Sequence, residues 1–160
     1  MSDPSPDKIS AEEFLQVVRL TPMVSIDLIV RNPQGQVLLG LRNNEPAART
    51  WFVPGGRVLK DERLDVAFER IASVELGIAV SRSQATFLGA YEHLYDENFA
   101  RLPGISTHYV VLAHEITVSE PISAPADDQH GELRWWSVHA LLESPDVHPN
   151  TKAYFPGGTT

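Results

Sequence analysis

The sequence predicts an α/β fold, a sandwich in which mixed strands surround one strong central helix and a short helix follows near the end. Two patterns predict it: residues 23–30 alternate between two faces, as in a strand, and residues 62–76 repeat their apolar positions with helical spacing. At 160 residues, with 42% hydrophobic residues, the chain can bury roughly 70% of its unfolded surface. We therefore expect one domain over residues 1–160, with residues 1–10 as a flexible N-terminal tail.

The elements before the central helix follow from turn and breaker residues. Residues 11–19 form a short helix that ends before Pro22. The strand that follows places Val24, Ile26, Leu28 and Val30 on one face and Ser25, Asp27 and Ile29 on the other. RNPQGQ is a turn, so QVLLGLR is expected to pair back as a hairpin, and WFVPGG is a short strand that ends in a bend.

The central helix is expected from about Glu62 to Leu76, closed by Gly77. After it, the sequence predicts strands near ATFLGAYEH, STHYVVLAHEI and ELRWWS, and a last short helix at SVHALLE.

Composition excludes several functions. The absence of cysteine excludes disulfides and thiol catalysis and fits the cytoplasm. A net charge of −8 argues against a general nucleic-acid binder. No apolar run approaches the roughly 20 residues that cross a bilayer, and the polar start is not a signal peptide. We expect a cytoplasmic protein without nucleic-acid or membrane partners. An acidic protein can still hold a small anionic ligand if a cation and a few arginines are placed locally.

The stretch from Gly56 to Gly77, GRVLKDERLDVAFERIASVELG, is the most informative part of the chain. It keeps Gly56, Glu62, Arg70, Glu75 and Gly77 at the spacings of the Nudix box. It therefore resembles the motif that binds Mg²⁺ and nucleoside diphosphate compounds in the Nudix hydrolase family.

Two glutamates of that box are absent, because Ile71 follows Arg70 and Val74 precedes Glu75. Positions 71, 74 and 75 span about 100° of one helix face. In the usual box they are three glutamates that hold several metal ions. A lone inward-facing Glu75 needs a cation, a metal or a hydrogen bond, unless it is a partly exposed carboxylate at a fraying helix end.

Beyond the box, the chain resembles the GDP-mannose mannosyl hydrolase branch of the family over about residues 9–156. The shared stretches are TPMVSIDLIV, LLGLR, WFVPGGR, AFERIASVELG, YEHLYDENF, THYVV, DDQH and VHPNTKAYF. The resemblance implies a Nudix-type α/β/α sandwich with a mixed sheet, a homodimer, and one Mg²⁺ per subunit, with Mn²⁺ as an alternative. It also implies hydrolysis of GDP-mannose, or of GDP-glucose, to GDP and free sugar by inverting attack of water at the anomeric carbon.

The residues present agree with attack at carbon. Attack at phosphorus benefits from several cations on the phosphoryl oxygens, and hence from a carboxylate cluster that this chain lacks. A departing GDP has a terminal phosphate pKa of about 6, so Mg²⁺ and arginines can replace a general acid and one base is enough.

The resemblance also implies a role for individual residues. The backbone carbonyl of Gly55, with Glu75 and Gln129, would ligate Mg²⁺, and His130 would be the general base. Taken alone, Gln129 would be a solvated loop amide and His130 a surface histidine.

Arg42, Arg57 and Arg70 would act on the diphosphate, because guanidinium groups match phosphate oxygens two at a time. Arg70 has a structural alternative, since its counterpart often orients glutamates of the box, and Arg42 could be an ordinary cation at a strand end.

Three further residues complete the predicted site. Tyr109 would contact the diphosphate, His93 the mannose, and Asp27 would support positive charge at the anomeric carbon. Two other functions stay open at this point: a pyrophosphohydrolase that attacks phosphorus in a nucleoside diphosphate sugar, and a non-catalytic domain that binds a nucleotide sugar.

Overall fold

The computed structural model describes residues 9–119, 122 and 130–156, and within them the side chains of 130 and 131 are not described. The strands are β1 Met23–Arg31, β2 Val37–Arg42, β3 Trp51–Phe52, β4 Gly55–Arg57, β5 Thr86–Tyr95, β6 Thr107–Thr117 and β7 His130–Trp136. The helices are α1 Ala11–Leu20, α2 Leu64–Leu76, α3 Val138–Glu143 and α4 Pro149–Lys152. None of these helices is long and apolar enough to cross a membrane.

The sheet is mixed, as predicted, and β1 lies at its centre. The order is β3-β2-β1-β6-β5, with β4 pairing to β1 and β7 pairing to β2. Strand β1 runs parallel to β6 along its whole length and antiparallel to β4. The two edges of β1 are therefore covered by different partners, which keeps its backbone groups paired in the interior.

Each face of the sheet carries a helical layer, which gives the α/β/α sandwich. On one face, Ile26, Leu28 and Val30 of β1 pack against Phe68 and Ile71 of α2. On the opposite face, Ile29 belongs to a second cluster that includes Leu141 of α3 and the residues around α4. The predicted alternation of β1 is confirmed, because successive residues of the strand enter different cores.

Two details differ from the sequence expectation. Strands β1 and β2 form a hairpin only at its base, where Arg31 pairs with Val37, and β4 takes the neighbouring edge of β1 farther along. Strand β2 pairs instead with β3 and β7. Helix α2 begins at Leu64 rather than Glu62, because Asp61 has a left-handed φ of 65° and Arg63 is extended.

The end of α2 agrees with the prediction. Gly77 adopts a left-handed φ of 67° and its N–H bonds to the carbonyl of Ser73. A side chain would be strained at this φ, so glycine is the residue that ends the helix without cost.

Candidate active site

A cavity of about 340 Å³ opens between β1, the β3–β4 region, β5, β6 and α1. Six of the predicted site residues line it, namely Asp27, Arg42, Gly55, Arg57, His93 and Tyr109. They come from five strands that are distant in sequence. Neighbouring strands bring them to one place, with β1 paired to β4 and β6 and β5 paired to β6.

Asp27 lies at the base of this cavity. The residue is half-buried, because part of its surface faces the cavity, while its carboxyl group lies deep within the protein. This burial raises the pKa of Asp27 to about 7, against the opposing effects of a hydrogen bond from Tyr154 and the charge of Arg42. A carboxyl group with such a pKa can hold or release a proton near neutral pH.

Gly55 makes room for that carboxyl group. The register of β1 and β4 places Gly55 opposite Asp27. A Cβ at this position would collide with Oδ1 of Asp27 and would lie 2.7 Å from the backbone oxygen of Ile26. Glycine is therefore required at position 55 by close approach.

Two arginines bring positive charge to the cavity. Arg42 lies with its guanidinium 5.2 Å from the ring centre of Phe52, and its Nε is buried without a hydrogen-bond partner. Arg57 lies 4.5 Å from the ring centre of Phe14. Within the described part of the chain, neither arginine forms an ion pair with a carboxylate. Both guanidinium groups bring positive charge to the lining of the cavity, where it would attract an anionic ligand.

His93 and Tyr109 face each other across the β5–β6 ladder, where they are register partners. Burial, with the nearby charges of His148 and Arg42, lowers the pKa of His93 to about 4, so its ring is neutral at pH 7. Burial raises the pKa of Tyr109, while the charges of Arg57 and Arg42 oppose the rise. The phenol therefore keeps its proton and can donate a hydrogen bond to a phosphate oxygen.

Arg70 lies outside the lining of the cavity, in a position that fits its structural alternative. Its Nε donates to Oε2 of Glu62 at 2.8 Å, and its Nη2 donates to the carbonyl oxygen of Arg57 at 2.7 Å. Glu62 in turn accepts from the N–H of Leu59. The Arg70–Glu62 pair thus links the segment between β4 and α2 to the helix. Through its bond to the Arg57 carbonyl, Arg70 also holds the backbone of a residue that lines the cavity.

We expect Arg70→Ala to lower the free energy of unfolding by about 1–2 kcal/mol at pH 7, because the charge-assisted bonds to a nearly buried Glu62 are lost. The hydrogen bond from Arg70 lowers the pKa of Glu62 below 4.5. The stabilisation is therefore present above pH 4.5 and is lost as the pH falls through the folded-state pKa. Urea unfolding at pH 7 and pH 3 measures this difference.

Arg82→Ala is the matched control, because Arg82 pairs with Asp65 at 2.6 Å in an exposed ion pair. It should lower the free energy of unfolding by less than about 1 kcal/mol. Equal losses in the two variants would contradict the supporting role of Arg70.

The helix positions that lack glutamate have different surroundings. Ile71 is buried and packs beneath Gly56, where a Cβ would lie 2.9 Å from its Cγ1. Val74 is exposed, and Glu75 is half-buried. Within the described residues no group of three His, Cys, Asp or Glu side chains could hold a metal. Of positions 71, 74 and 75, only Glu75 therefore offers the oxygen ligand that a hard cation prefers.

Two of the predicted site residues, Gln129 and His130, are neighbours in the sequence. Gln129 falls outside the described residues. The backbone of His130 pairs with Arg42 across β2 and β7, next to a register shift between Leu41 and Arg42. This pairing places His130 beside a residue that lines the cavity.

The sequence analysis assigned no role to Tyr154. Its Oη donates to Oδ2 of Asp27 at 2.6 Å and lies 3.3 Å from Nε2 of His93. The only signal in the sequence was its place in VHPNTKAYF, one of the stretches shared with the resembled branch. Periodicity could not have found it, because Tyr154 lies in a turn beyond α4.

Comparison with known proteins gives consistent results. A family model described as the NUDIX domain matches residues 21–156. The low-salt glycan biosynthesis protein Agl8 of Haloferax volcanii is 38% identical over 156 residues, which cover 96% of this chain and 92% of that protein. The crystal structure of the MutT NUDIX hydrolase from Burkholderia pseudomallei matches with a TM-score of 0.65 and 27% identity, over 84% of this chain and 95% of that one. The MutT protein of Methanosarcina mazei Go1 has a TM-score of 0.66 at 21% identity, over 84% of this chain and 91% of that one, and shows the fold alone.

Proposed function

Because the chain belongs to the Nudix hydrolase family, we propose that it hydrolyses GDP-mannose, or GDP-glucose, to GDP and free sugar. Water attacks the anomeric carbon with inversion, and the protein works as a cytoplasmic homodimer with one Mg²⁺ or Mn²⁺ per subunit.

The observation that carries this proposal is that two kinds of functional group line the same cavity. Arg42 and Arg57 supply positive charge without a carboxylate partner among the described residues. Asp27 and His93 lie in the same cavity and offer an acidic group and a neutral imidazole. The first pair suits a diphosphate, and the second suits a sugar with hydroxyl groups and developing positive charge at C1.

The metal requirement differs from that of a typical phosphorus-attacking member. Glu75, the carbonyl of Gly55 and Gln129 would hold one divalent cation, which would neutralise charge on the departing diphosphate. Ile71 occupies the space beneath Gly56 with hydrocarbon. This replacement supports a reaction in which fewer cations are needed, as in cleavage of the bond between carbon and oxygen.

Individual side chains then have separate roles in the proposed reaction. His130 takes the proton from the attacking water, and the ionised form of Asp27 stabilises positive charge on the sugar ring. Arg42, Arg57 and Tyr109 bind the diphosphate as its negative charge grows, with Arg57 held in place through the bond from Arg70 to its carbonyl. GDP leaves as an anion, so no protonated acid is required on the leaving oxygen.

The relative from Haloferax volcanii supports a carbohydrate substrate, since its name assigns that protein to glycan biosynthesis. The main competing function is attack at phosphorus, which would yield GMP and a sugar phosphate. The depleted carboxylate face of α2 counts against it.

Turnover of GDP-mannose in ¹⁸O-water with Mg²⁺, read by mass spectrometry, tests the proposal. Label in free mannose with unlabelled GDP is the expected result and identifies attack at carbon. Label in GMP or in mannose 1-phosphate would establish attack at phosphorus and overturn it.

His130→Ala separates an enzyme from a domain that only binds. We expect the variant to lose turnover while its affinity for GDP, measured by calorimetry, is retained, because the base acts on water and not on the nucleotide. His139→Ala is a matched control on the exposed surface of α3 and should leave both quantities unchanged. Full turnover in His130→Ala would reject the base assignment.

A further inference from the structure

Tyr154 lies behind the cavity and connects two of the groups that line it. Its Oη is 2.6 Å from Oδ2 of Asp27 and 3.3 Å from Nε2 of His93. Asp27 and His93 both line the cavity, on β1 and β5. A single hydroxyl group therefore links two site residues that do not share a strand.

The chemistry of the three groups sets the direction of these hydrogen bonds. A phenol has one proton, and the ionised form of Asp27, which prevails above pH 7, can only accept, so in that form Tyr154 donates to Asp27. The lone pairs of its oxygen are then left for a donor, and Nε2 of His93, 3.3 Å away, fills that role in the tautomer that carries its proton on Nε2. In this order, Nε2–H of His93 donates to Oη of Tyr154, and Oη–H of Tyr154 donates to Oδ2 of Asp27. The other ring nitrogen of His93, Nδ1, then carries no proton and can accept a hydrogen bond.

The second oxygen of Asp27 is constrained from the other side. Oδ1 occupies the space that a Cβ of residue 55 would fill. With Oδ2 bonded to Tyr154 and Oδ1 lying over Gly55, the carboxyl group has one orientation.

Tyr154 is itself held firmly. Its ring is buried and meets the ring of Tyr91 edge-on, with centroids 4.7 Å apart at 80°. Its backbone N–H bonds to the carbonyl of Thr151 at the end of α4. The helix is anchored in turn at its start, where Nδ1 of His148 accepts from the N–H of Asn150.

We propose that Tyr154 is a positioning residue of the active site: it orients Asp27 and fixes the tautomer of His93, so that Nδ1 of His93 accepts a hydrogen bond from a hydroxyl group of the sugar. The identity of the ligand rests on the proposed function, whereas the order of the three groups rests on the hydrogen-bond distances and on the ionised form of Asp27. Tyr154 acts through its two partners and does not itself line the cavity.

Tyr154→Phe removes the hydroxyl group and keeps the ring. We expect kcat for GDP-mannose to fall about 10- to 100-fold, by analogy with the loss of groups that orient metal ligands. The affinity for GDP should not change, because Arg42, Arg57 and Tyr109 are untouched. Tyr91→Phe is the matched control: it alters the neighbouring phenol, which does not line the cavity, and should leave kcat unchanged.

The tautomer of His93 gives a readout that a merely structural role would not alter. At pH 8.5, where Asp27 is ionised, ¹⁵N NMR of the ring nitrogens should show the Nε2–H form in the wild-type protein and loss of that preference in Tyr154→Phe. Wild-type kcat in Tyr154→Phe, or the same tautomer in both proteins, would overturn the proposal. An Nδ1–H tautomer in the wild-type protein would overturn it without any variant.

The two proposals can fail separately. If the wild-type protein does not hydrolyse GDP-mannose, the proposed function is rejected, and the tautomer of His93 in ligand-free protein alone decides the role of Tyr154.

Discussion

Asp27→Asn is expected to reduce turnover strongly and, at the same time, to make the ligand-free protein more stable above pH 7. The activity should fall about 10²- to 10⁴-fold, because the variant cannot offer a negative charge to the sugar ring. Stability should rise because asparagine avoids the cost of an ionised carboxylate in a buried position.

The sign and range of this stability effect follow from the pKa. The folded-state pKa of Asp27, about 7, lies above its ordinary value of 3.8. The carboxyl group therefore contributes stability that is fully present below pH 3.8 and is lost as the pH rises through about 7. At pH 8 the variant should be more stable than wild type by roughly 1–4 kcal/mol. The larger figure is the full effect of the pKa shift of Asp27, and the smaller one allows for solvent in the cavity.

Urea unfolding between pH 4 and pH 9 in the presence of EDTA measures this effect without a bound cation. Asp65→Asn is the control, since Asp65 is an exposed carboxylate on α2, and its substitution should change stability by less than about 1 kcal/mol. A variant Asp27→Asn that unfolds more easily than wild type at pH 8, or that retains turnover, would contradict the argument.

Gly55→Ala is the second change with a large expected effect. The added Cβ would collide with Oδ1 of Asp27 and lie 2.7 Å from the carbonyl oxygen of Ile26, and the backbone of central strand β1 cannot easily move away. We expect a loss of about 2–3 kcal/mol in the free energy of unfolding. Turnover should also be lost, because the carboxyl group of Asp27 would be displaced.

Gly35→Ala separates steric conflict from the ordinary cost of replacing glycine. Gly35 lies in the β1–β2 turn with φ of 79°, and a Cβ there would meet nothing within 4 Å. This control should cost about 1 kcal/mol from backbone strain and leave kcat unaffected. If Gly55→Ala is no worse than Gly35→Ala in both assays, close approach at Gly55 is not important.

Local sequence patterns predicted the elements of this fold well. The alternation in β1 is confirmed because Ile26 and Ile29 enter cores on opposite faces of the sheet. The end of α2 is confirmed because Gly77 has the left-handed backbone that its position requires. The β1–β2 hairpin is confirmed at its base, but it stops there because β4 pairs with the same edge of β1, and no local signal reveals that competition.

Only part of the candidate site could be predicted from the sequence. The resemblance named six residues that the fold brings to one cavity, although their roles stay predictions until they are tested. Arg70 was placed with two open roles, and its bonds to Glu62 and to the Arg57 carbonyl fit the structural one. Tyr154 received no role, because its partners are 127 and 61 residues away in sequence.

The sequence by itself determined the Nudix family, the mixed α/β class and the loss of two glutamates from the box. Each depends on residue types at fixed spacings along the chain. Only the tertiary structure decided which groups meet: Asp27 with Tyr154, His93 with Tyr109, and Ile71 with Gly56. Burial and long-range contact set those environments, including the raised pKa of Asp27, and neither can be calculated from neighbours in the chain.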